Sequence, residues 1–192
     1  MLENALESYP KKVTLKASFN CTLRPLNTGD EKAFYEFCQT IPDQEKLFMK
    51  HRVSDPKVIR NWCKNIDLGR IFPLLATHGK EIIADCSLHQ QLGGWKRHIG
   101  RISVLVHPQY RGRGLAKALV QELMGVARDI GLEKMEAEFI GDQEAAIKMF
   151  GLLGFREMLR VEDYVKDMQA VTHDYVLMGV DLKTDEEYAG VG

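Results

Sequence analysis

The residues with the clearest chemical meaning lie between Arg101 and Leu119, in the segment RISVLVHPQYRGRGLAKAL. Apolar and polar residues alternate as far as Val106, which is the period-2 pattern of a β-strand. His107-Pro108 ends this strand, because proline cannot donate to a sheet ladder. The loop Gln109–Gly114 follows, and a helix is predicted to begin directly after it.

A glycine loop in front of a helix is a binding site for an anion. The first amides of a helix have no partner inside it, and the helix dipole adds partial positive charge. These amides therefore predict an anion site, and a diphosphate is the anion that suits it best. Arg111 and Arg113 add fixed positive charge to the same loop.

Two familiar nucleotide-binding loops are excluded by spacing. A P-loop needs a lysine followed by serine or threonine after its second glycine, whereas Leu115 follows Gly114. A dinucleotide-binding fingerprint needs a third glycine or alanine at the position of Lys117.

Two motifs resemble those of one family, the GCN5-related N-acetyltransferases (GNAT). Gln109-x-x-Gly112-x-Gly114, after a Val-x-Val strand, resembles the family's acetyl-CoA loop. The segment 146–155, AIKMFGLLGF, is similar to its second cofactor helix and the exit of that helix into a strand. The motifs stand in the family's order, and the resemblance extends over about residues 11–182.

The resemblance implies the fold and the domain organisation. We expect an α/β protein with the GNAT acyl-CoA N-acyltransferase fold, in which about seven strands form a mostly antiparallel, splayed sheet flanked by about four helices. Residues 1–192 are expected to form one GNAT domain, with a loosely ordered lead-in at 1–10 and tail at 184–192.

The resemblance also implies acetyl-CoA as the cosubstrate and no metal. The pantetheine arm would pair like an extra strand with the backbone of Val104 to Val106, and an amide near Val106 would face the thioester carbonyl. The residues that the resemblance assigns to cofactor binding are Val104, Leu105, Val106, Gln109, Arg111, Gly112, Arg113, Gly114, Leu115, Ala116, Gln143 and Phe150.

The second motif departs from the family pattern at two of these positions. Gln143 stands where the family often has asparagine, and Phe150 stands where it often has a tyrosine that protonates the departing thiolate. Phenylalanine has no proton to give, so we expect Phe150 only to pack on the pantetheine. A thiol has a pKa near 8.5, so its thiolate leaves without much help.

The candidates for a general base are Glu136, Glu138 and His98. An amine acceptor is protonated at pH 7, so a proton must leave before attack. Glu136 and Glu138 share one face of a predicted interior strand, where a carboxylate is costly. One of them lines the acceptor cleft, or they form an ion pair with Arg101, or their strand face is open to water. His98 stands where the family often has an acid, and it titrates in a useful range.

Asp85 and His89 share one face of another predicted strand. We expect this face to be solvated, and the alternative is that the two residues line the acceptor site. The spacing of His, Cys, Asp and Glu does not match a metal site. The cysteines Cys21, Cys38, Cys63 and Cys86 are widely spaced in apolar settings, which predicts buried thiols in a reducing cytoplasm.

The amino-acid composition limits the classes of protein to which the chain can belong. The chain has 192 residues, of which 45% are hydrophobic and 28% charged, and a net charge of -1. These values are ordinary for a globular protein and predict no bulk attraction to nucleic acid or to an anionic membrane. The sequence has neither a signal-peptide core nor an apolar run of about 18 residues.

The sequence-based expectation is therefore a cytoplasmic N-acetyltransferase. The acetyl group would move from CoA to a primary amine, in a small molecule or a protein lysine, by direct attack in a ternary complex. A homodimer is among the expected assemblies. The alternative is a non-catalytic module that binds CoA as a sensor or partner, and the missing tyrosine at Phe150 supports it.

Overall fold

The structure is a computed structural model that describes residues 2–47, 49 and 53–182. One sheet of eight strands has the order β1-β2-β3-β4-β5-β6-β8-β7. The strands are β1 Lys11–Thr14, β2 Asn20–Pro25, β3 Ile71–His78, β4 Glu81–His89, β5 Ile99–Val106, β6 Lys134–Ile140, β7 Arg156–Lys166 and β8 Thr172–Asp181. The helices are α1 Leu2–Glu7, α2 Glu31–Thr40, α3 Asp43–Lys46, α4 Pro56–Lys64, α5 Leu115–Asp129 and α6 Glu144–Gly151.

This architecture confirms the expected α/β class with a mostly antiparallel sheet. The described residues form eight strands where about seven were expected, and six helices where about four were expected. Two of the helices, α1 and α3, are only six and four residues long. Short helices carry little periodicity, so a sequence pattern rarely reveals them.

The two faces of the sheet bury different apolar clusters. Helix α5 packs across β3, β4 and β5 on one face, where its buried side chains join the larger cluster. Helices α2 and α4 cover the opposite face and bury a second cluster that includes Phe37, Ile59 and Leu75. Helix α4 begins at a cap, where the Asp55 side chain accepts a hydrogen bond from the Lys57 amide and Pro56 takes the first helical position.

Among the described strands, β5 and β6 form the only parallel pair, and they pair over a short length. Their partners are Ile99 with Lys134, Gly100 with Met135 and Arg101 with Glu136. Strand β5 continues to pair with β4 as far as Val106. Beyond Arg101, one edge of β5 therefore has no neighbouring strand in the part of the chain that the structure describes, and the sheet splits between β5 and β6. We call this opening the gap.

Part of the lead-in at 1–10 forms a short helix. Helix α1 lies within residues 1–10, and Ala5 is buried in the larger apolar cluster. The Tyr9 hydroxyl donates to Glu122 of α5, which ties the segment to the rest of the chain. The predicted tail at 184–192 lies outside the described residues.

None of the helices that the structure describes is both long and apolar enough to cross a membrane.

Candidate active site

The direction of the backbone groups in β5 follows from two hydrogen bonds at its ends. The His107 amide donates to Ile83 at the end of β4, and the Lys134 amide donates to the His98 carbonyl at the start of β6. Alternate residues of a strand direct their amides and carbonyls to the same edge. The odd-numbered residues of β5 therefore face β4, and Val104 and Val106 face the gap.

The gap is consequently lined by backbone groups that the sheet does not use. The amides of Val104 and Val106 are donors that point across the gap, and their side chains are only partly buried. Leu105 is directed to β4, where it pairs with Asp85. An extended ligand with carbonyls at strand spacing would complete the ladder along this edge.

The glycine loop lies at the open end of the gap. Gly112 has φ 78° and Gly114 has φ 90°, both in the left-handed region that favours glycine. Gly114 precedes α5 and no side chain caps this helix, so the amides of its first turn are available for an anion. Of the helix residues assigned to the cofactor, Leu115 is buried in the core and Ala116 is half-buried.

The two arginines of the loop have different partners. Arg111 donates from Nε to the Val106 carbonyl at 3.2 Å, and its guanidinium lies 2.8 Å from the carboxylate of Glu45. Arg111 therefore lies at the entrance of the gap with its charge already balanced.

Arg113 makes aromatic contacts and no ion pair among the described residues. Its guanidinium carbon is 4.6 Å from the ring centre of Phe19 and 5.6 Å from that of Tyr110. Aromatic faces attract cations and fix their position. Arg113 is therefore the loop arginine whose charge remains available to a diphosphate.

Polar side chains cover the sheet face on the side of α2 and α4, next to the gap. Glu138 lies on β6 two residues beyond Glu136, the last residue of β6 that pairs with β5. It is therefore level with Ser103 of β5. Its carboxylate accepts from the Tyr175 hydroxyl at 3.2 Å and lies 3.4 Å from Arg101. This ion pair with Arg101 is one of the alternatives that the sequence left open. Burial and the nearby charge of Glu138 raise the pKa of Tyr175 to about 12.

The other two candidates for the general base, Glu136 and His98, lie away from the open part of the gap. Glu136 lies beside the joined end of β5 and β6, and its carboxylate is 3.2 Å from the Lys96 ammonium. His98 precedes β5 at that same end. The residues from Ile99 to Val106 span about 23 Å, so His98 is remote from the glycine loop.

Two of the residues predicted to bind the cofactor, Gln143 and Phe150, lie at the start of α6 and within it. The Gln143 side chain accepts a hydrogen bond from the Ile140 amide at 3.0 Å, so it folds back on the end of β6. Phe150 is buried, with the rings of Phe139 and Phe155 centred 5.0 and 4.9 Å away. Its ring is thus largely covered by protein.

Asp85 overturns the expectation of a solvated face. It lies on β4 between β3 and β5 and is buried, with 7% of its surface exposed. The Ser87 hydroxyl is 3.3 Å from both carboxylate oxygens. Burial raises the pKa of Asp85 to about 7.

Comparison with known proteins assigns the chain to a family. Residues 33–155 match the family model described as the acetyltransferase (GNAT) family. The chain belongs to the GNAT family. The match begins in α2 and ends directly before β7, so it includes the whole glycine loop and both sides of the gap.

Curated relatives of this GNAT chain match about half of it. The L-amino acid N-acyltransferase MnaT of Escherichia coli (strain K12) is 29% identical over 89 residues, which are 44% of this chain and 50% of the relative. Acetyltransferase SG1711 of Sodalis glossinidius (strain morsitans) is 34% identical over 98 residues, 50% of this chain and 59% of the relative. The chain thus spans between half and three fifths of the length of these relatives.

Solved GNAT structures share the fold over a larger part of the chain. The GNAT domain of S. lividans PAT has a TM-score of 0.75 at 22% identity, covering 89% of this chain and 96% of that one. The structure of yncA, a putative acetyltransferase from Salmonella typhimurium with its cofactor acetyl-CoA, has a TM-score of 0.73 at 22% identity. It covers 86% of this chain and 96% of that one.

Sequence reasoning missed the partners that fix the GNAT loop and the polar face. Glu45 and Phe19 lie far from the loop in sequence, so no spacing could connect them with Arg111 and Arg113. Asp85 did carry a signal, because it interrupts the apolar run IIADCSL of a central strand.

Proposed function

We propose that this chain binds acetyl-CoA and transfers its acetyl group to a primary amine. The observation that carries the proposal is the unpaired edge of β5, which runs from the glycine loop into the sheet and presents the amides of Val104 and Val106. A glycine loop alone would suit many anions. A glycine loop at the end of an open strand edge suits a diphosphate that carries an extended arm.

The residues present fit the two parts of such a ligand. The diphosphate would lie on the amides from Gly112 to Ala116, with Arg113 beside it. The pantetheine arm would hydrogen-bond along β5 in the place of a strand. The open space around Gly112, where an added Cβ would meet nothing within 4 Å, leaves room for a phosphate at the backbone.

The reactive end of the arm would lie at the deep end of the gap. Because the arm enters from the loop, its thioester is farthest from Gly112 and closest to the joined end of the strands. This favours the Val104 amide, rather than that of Val106, as the donor to the thioester oxygen. A fixed N–H aimed at the oxygen that gains charge lowers the barrier to acyl transfer.

The acceptor would approach from the polar face. Its ammonium group is attracted by Glu138, which lies level with Ser103 at the edge of the gap. After a proton has passed to a base, for which Glu138 is the nearest candidate, the neutral amine attacks the thioester carbon. The C–N bond forms as the C–S bond breaks, and the thiolate leaves without a hydroxyl from the position of Phe150. The nitrogen then loses its second proton to the thiolate, so that the products are the amide and the free CoA thiol.

The test is calorimetry with acetyl-CoA, followed by thiol release against a panel of amines. The panel begins with L-amino acids, since MnaT is named as an L-amino acid N-acyltransferase, and continues with polyamines and lysine peptides. Gly112→Trp should lower acetyl-CoA affinity at least tenfold. Gly94→Trp is the matched control, because Gly94 also has open space around it and a left-handed φ of 81°, but lies in the connection between β4 and β5, away from the loop. Equal affinities of the two variants would contradict the proposal.

The second candidate is a CoA-binding module without catalysis. It is favoured by Phe150, which has no hydroxyl, and by Glu138, whose carboxylate is already in contact with Arg101 and Tyr175. Binding of acetyl-CoA with no thiol release in the presence of any amine would select this candidate over the enzyme.

A further inference from the structure

Asp85 is a buried carboxyl that the proposed reaction does not yet use. It belongs to a central strand and accepts hydrogen bonds from Ser87, both at 3.3 Å. None of the ion pairs between described residues includes Asp85. Because a buried carboxylate without a cation is costly, an apolar residue would stabilise the sheet better at this position.

The groups that face Asp85 come from each element packed around it. Strand β3 supplies Leu75, and strand β5 supplies Leu105. Helix α2 supplies the Cys38 thiol, whose pKa rises to about 12 mainly through burial and in part through the charge of Asp85. Farther along the same face, His89 of β4 lies opposite Arg101 of β5. The immediate surroundings are thus apolar, apart from Ser87 and the thiol.

Ser87 connects Asp85 to the open face. It pairs directly with Ser103 of β5, and opposite residues on one sheet face have Cβ atoms about 5 Å apart. Ser103 is exposed and lies at the level of Glu138, beside the deep end of the gap. The Ser87 hydroxyl donates inward to Asp85, so its lone pairs remain to accept a proton from the outer side.

We infer that Asp85, reached through the Ser87 hydroxyl, is the group that finally holds the proton released by the acceptor amine. The inference rests on the proposed acetyl transfer. The N–H bond of the ammonium breaks, its proton goes to the Ser87 oxygen, and the proton of Ser87 moves to the Asp85 carboxylate. The neutral carboxyl returns the proton to water by the same route after the product has left. Glu138 then acts mainly through its charge, which holds the ammonium at the gap.

Burial supports this assignment. With a pKa of about 7, Asp85 is able both to accept and to return a proton at neutral pH. Leu75 and Leu105, which lie opposite Asp85 on the two neighbouring strands, are both apolar. Among the described residues, the Lys46 ammonium of α3 acts on the same Cys38 thiol as Asp85 does.

The experiment measures kcat for propylamine acetylation by thiol release at saturating acetyl-CoA from pH 5.5 to 9. The wild-type kcat should fall below a midpoint near 7, where Asp85 becomes protonated. Asp85→Asn should lower kcat by about 100-fold, the usual scale of general base catalysis, and remove this midpoint. Ser87→Ala should lower kcat by a smaller factor. The affinity for acetyl-CoA should stay within twofold in both variants.

The variant Glu138→Gln distinguishes the role of the Glu138 carboxylate from that of the Asp85 carboxylate. It should raise KM for propylamine and leave the midpoint of kcat near that of the wild type. The inference is overturned if Asp85→Asn keeps the wild-type kcat, or if it lowers kcat while keeping the wild-type midpoint, which is the result of a merely structural role. If the wild type does not bind acetyl-CoA, or releases no thiol with propylamine or with any amine of the panel above, the proposed function itself is removed, and the inference with it. If another amine of the panel reacts and propylamine does not, the same kcat profiles are measured with that amine.

Folding of Asp85→Asn is checked by a measurement that needs no amine. In protein labelled with ¹³C at the aspartate carboxyl carbons, one resonance should titrate near pH 7 in the wild type and be absent from the variant, with the other aspartate resonances in place. Loss of several resonances would indicate a disturbed fold. Ser87→Ala, which retains the carboxyl, then carries the test: an unchanged kcat would overturn the inference.

Discussion

Replacing Asp85 with asparagine should make the protein more stable at alkaline pH. Burial raises the pKa of this carboxyl from 3.8 to about 7 in the folded chain. A group with a raised folded pKa stabilises the native state fully below its unfolded pKa, and this contribution is lost as the pH rises through the folded pKa. The pH window for Asp85 is therefore between about 4 and about 7.

The size of the effect follows from the same shift. At 1.36 kcal/mol for each pKa unit, a change from 3.8 to about 7 corresponds to about 4 kcal/mol. Asparagine has nearly the shape of the protonated acid and never ionises. The unfolding free energy of Asp85→Asn minus that of the wild type should therefore rise by up to about 4 kcal/mol between pH 4 and pH 8.

Urea denaturation at a series of pH values measures this difference, because the contributions of all other titrating groups cancel between the two proteins. Glu162→Gln, which removes an exposed carboxylate of β7, is the control and should give a difference that varies little with pH. A stability difference between Asp85→Asn and the wild type that is constant over pH 4 to 8 would refute the reasoning.

Three further predictions concern the loop and α6. Gly114→Val should lower the unfolding free energy by about 1–2 kcal/mol, because a φ of 90° is unfavourable for an L-residue. The same variant should weaken acetyl-CoA binding. An unchanged urea midpoint would contradict the first expectation, and an unchanged affinity for acetyl-CoA would contradict the second. Glu45→Gln should change stability by less than about 1 kcal/mol, because its ion pair with Arg111 is exposed. It should tighten acetyl-CoA binding in calorimetry by releasing Arg111, and weaker binding would argue against this role. Phe150→Tyr should cost about 1–3 kcal/mol of stability, because it buries a hydroxyl among aromatic rings, and should not raise kcat; an increased kcat would show that the hydroxyl reaches the thiolate.

The sequence predicted those parts of the fold in which local signals agree. The alternation ending at Val106, the proline after it and the two glycines define β5, the loop and the start of α5, and the structure confirms all three. The class of the sheet followed from the order of such segments. The short helices α1 and α3 carry weaker local signals, because their packing rather than their pattern holds them in place.

The chemistry of the site was predicted less well, for a physical reason. The backbone donors of β5 depend only on strand geometry, so their position could be inferred from the pattern. Side-chain properties depend on what the tertiary fold brings near them. Glu45 balances the charge of Arg111, and α2 excludes water from Asp85 on a face that was expected to be solvated. Local sequence does not reveal either contact, although the position of Asp85 within an apolar run is a signal of its burial.

The short β5–β6 ladder has a mechanical consequence. Strands β1 to β5 form one plate and strands β6 to β8 another, and the only strand pairing between the plates among the described residues is at Ile99–Arg101 with Lys134–Glu136. The angle between the plates at this ladder sets the width available to a ligand. Within the ladder, a Cβ on Gly100 would lie 2.7 Å from Leu88 of one plate and 2.8 Å from Leu132, just before the other. A side chain there would act as a wedge, changing the aperture without touching any group that binds or reacts.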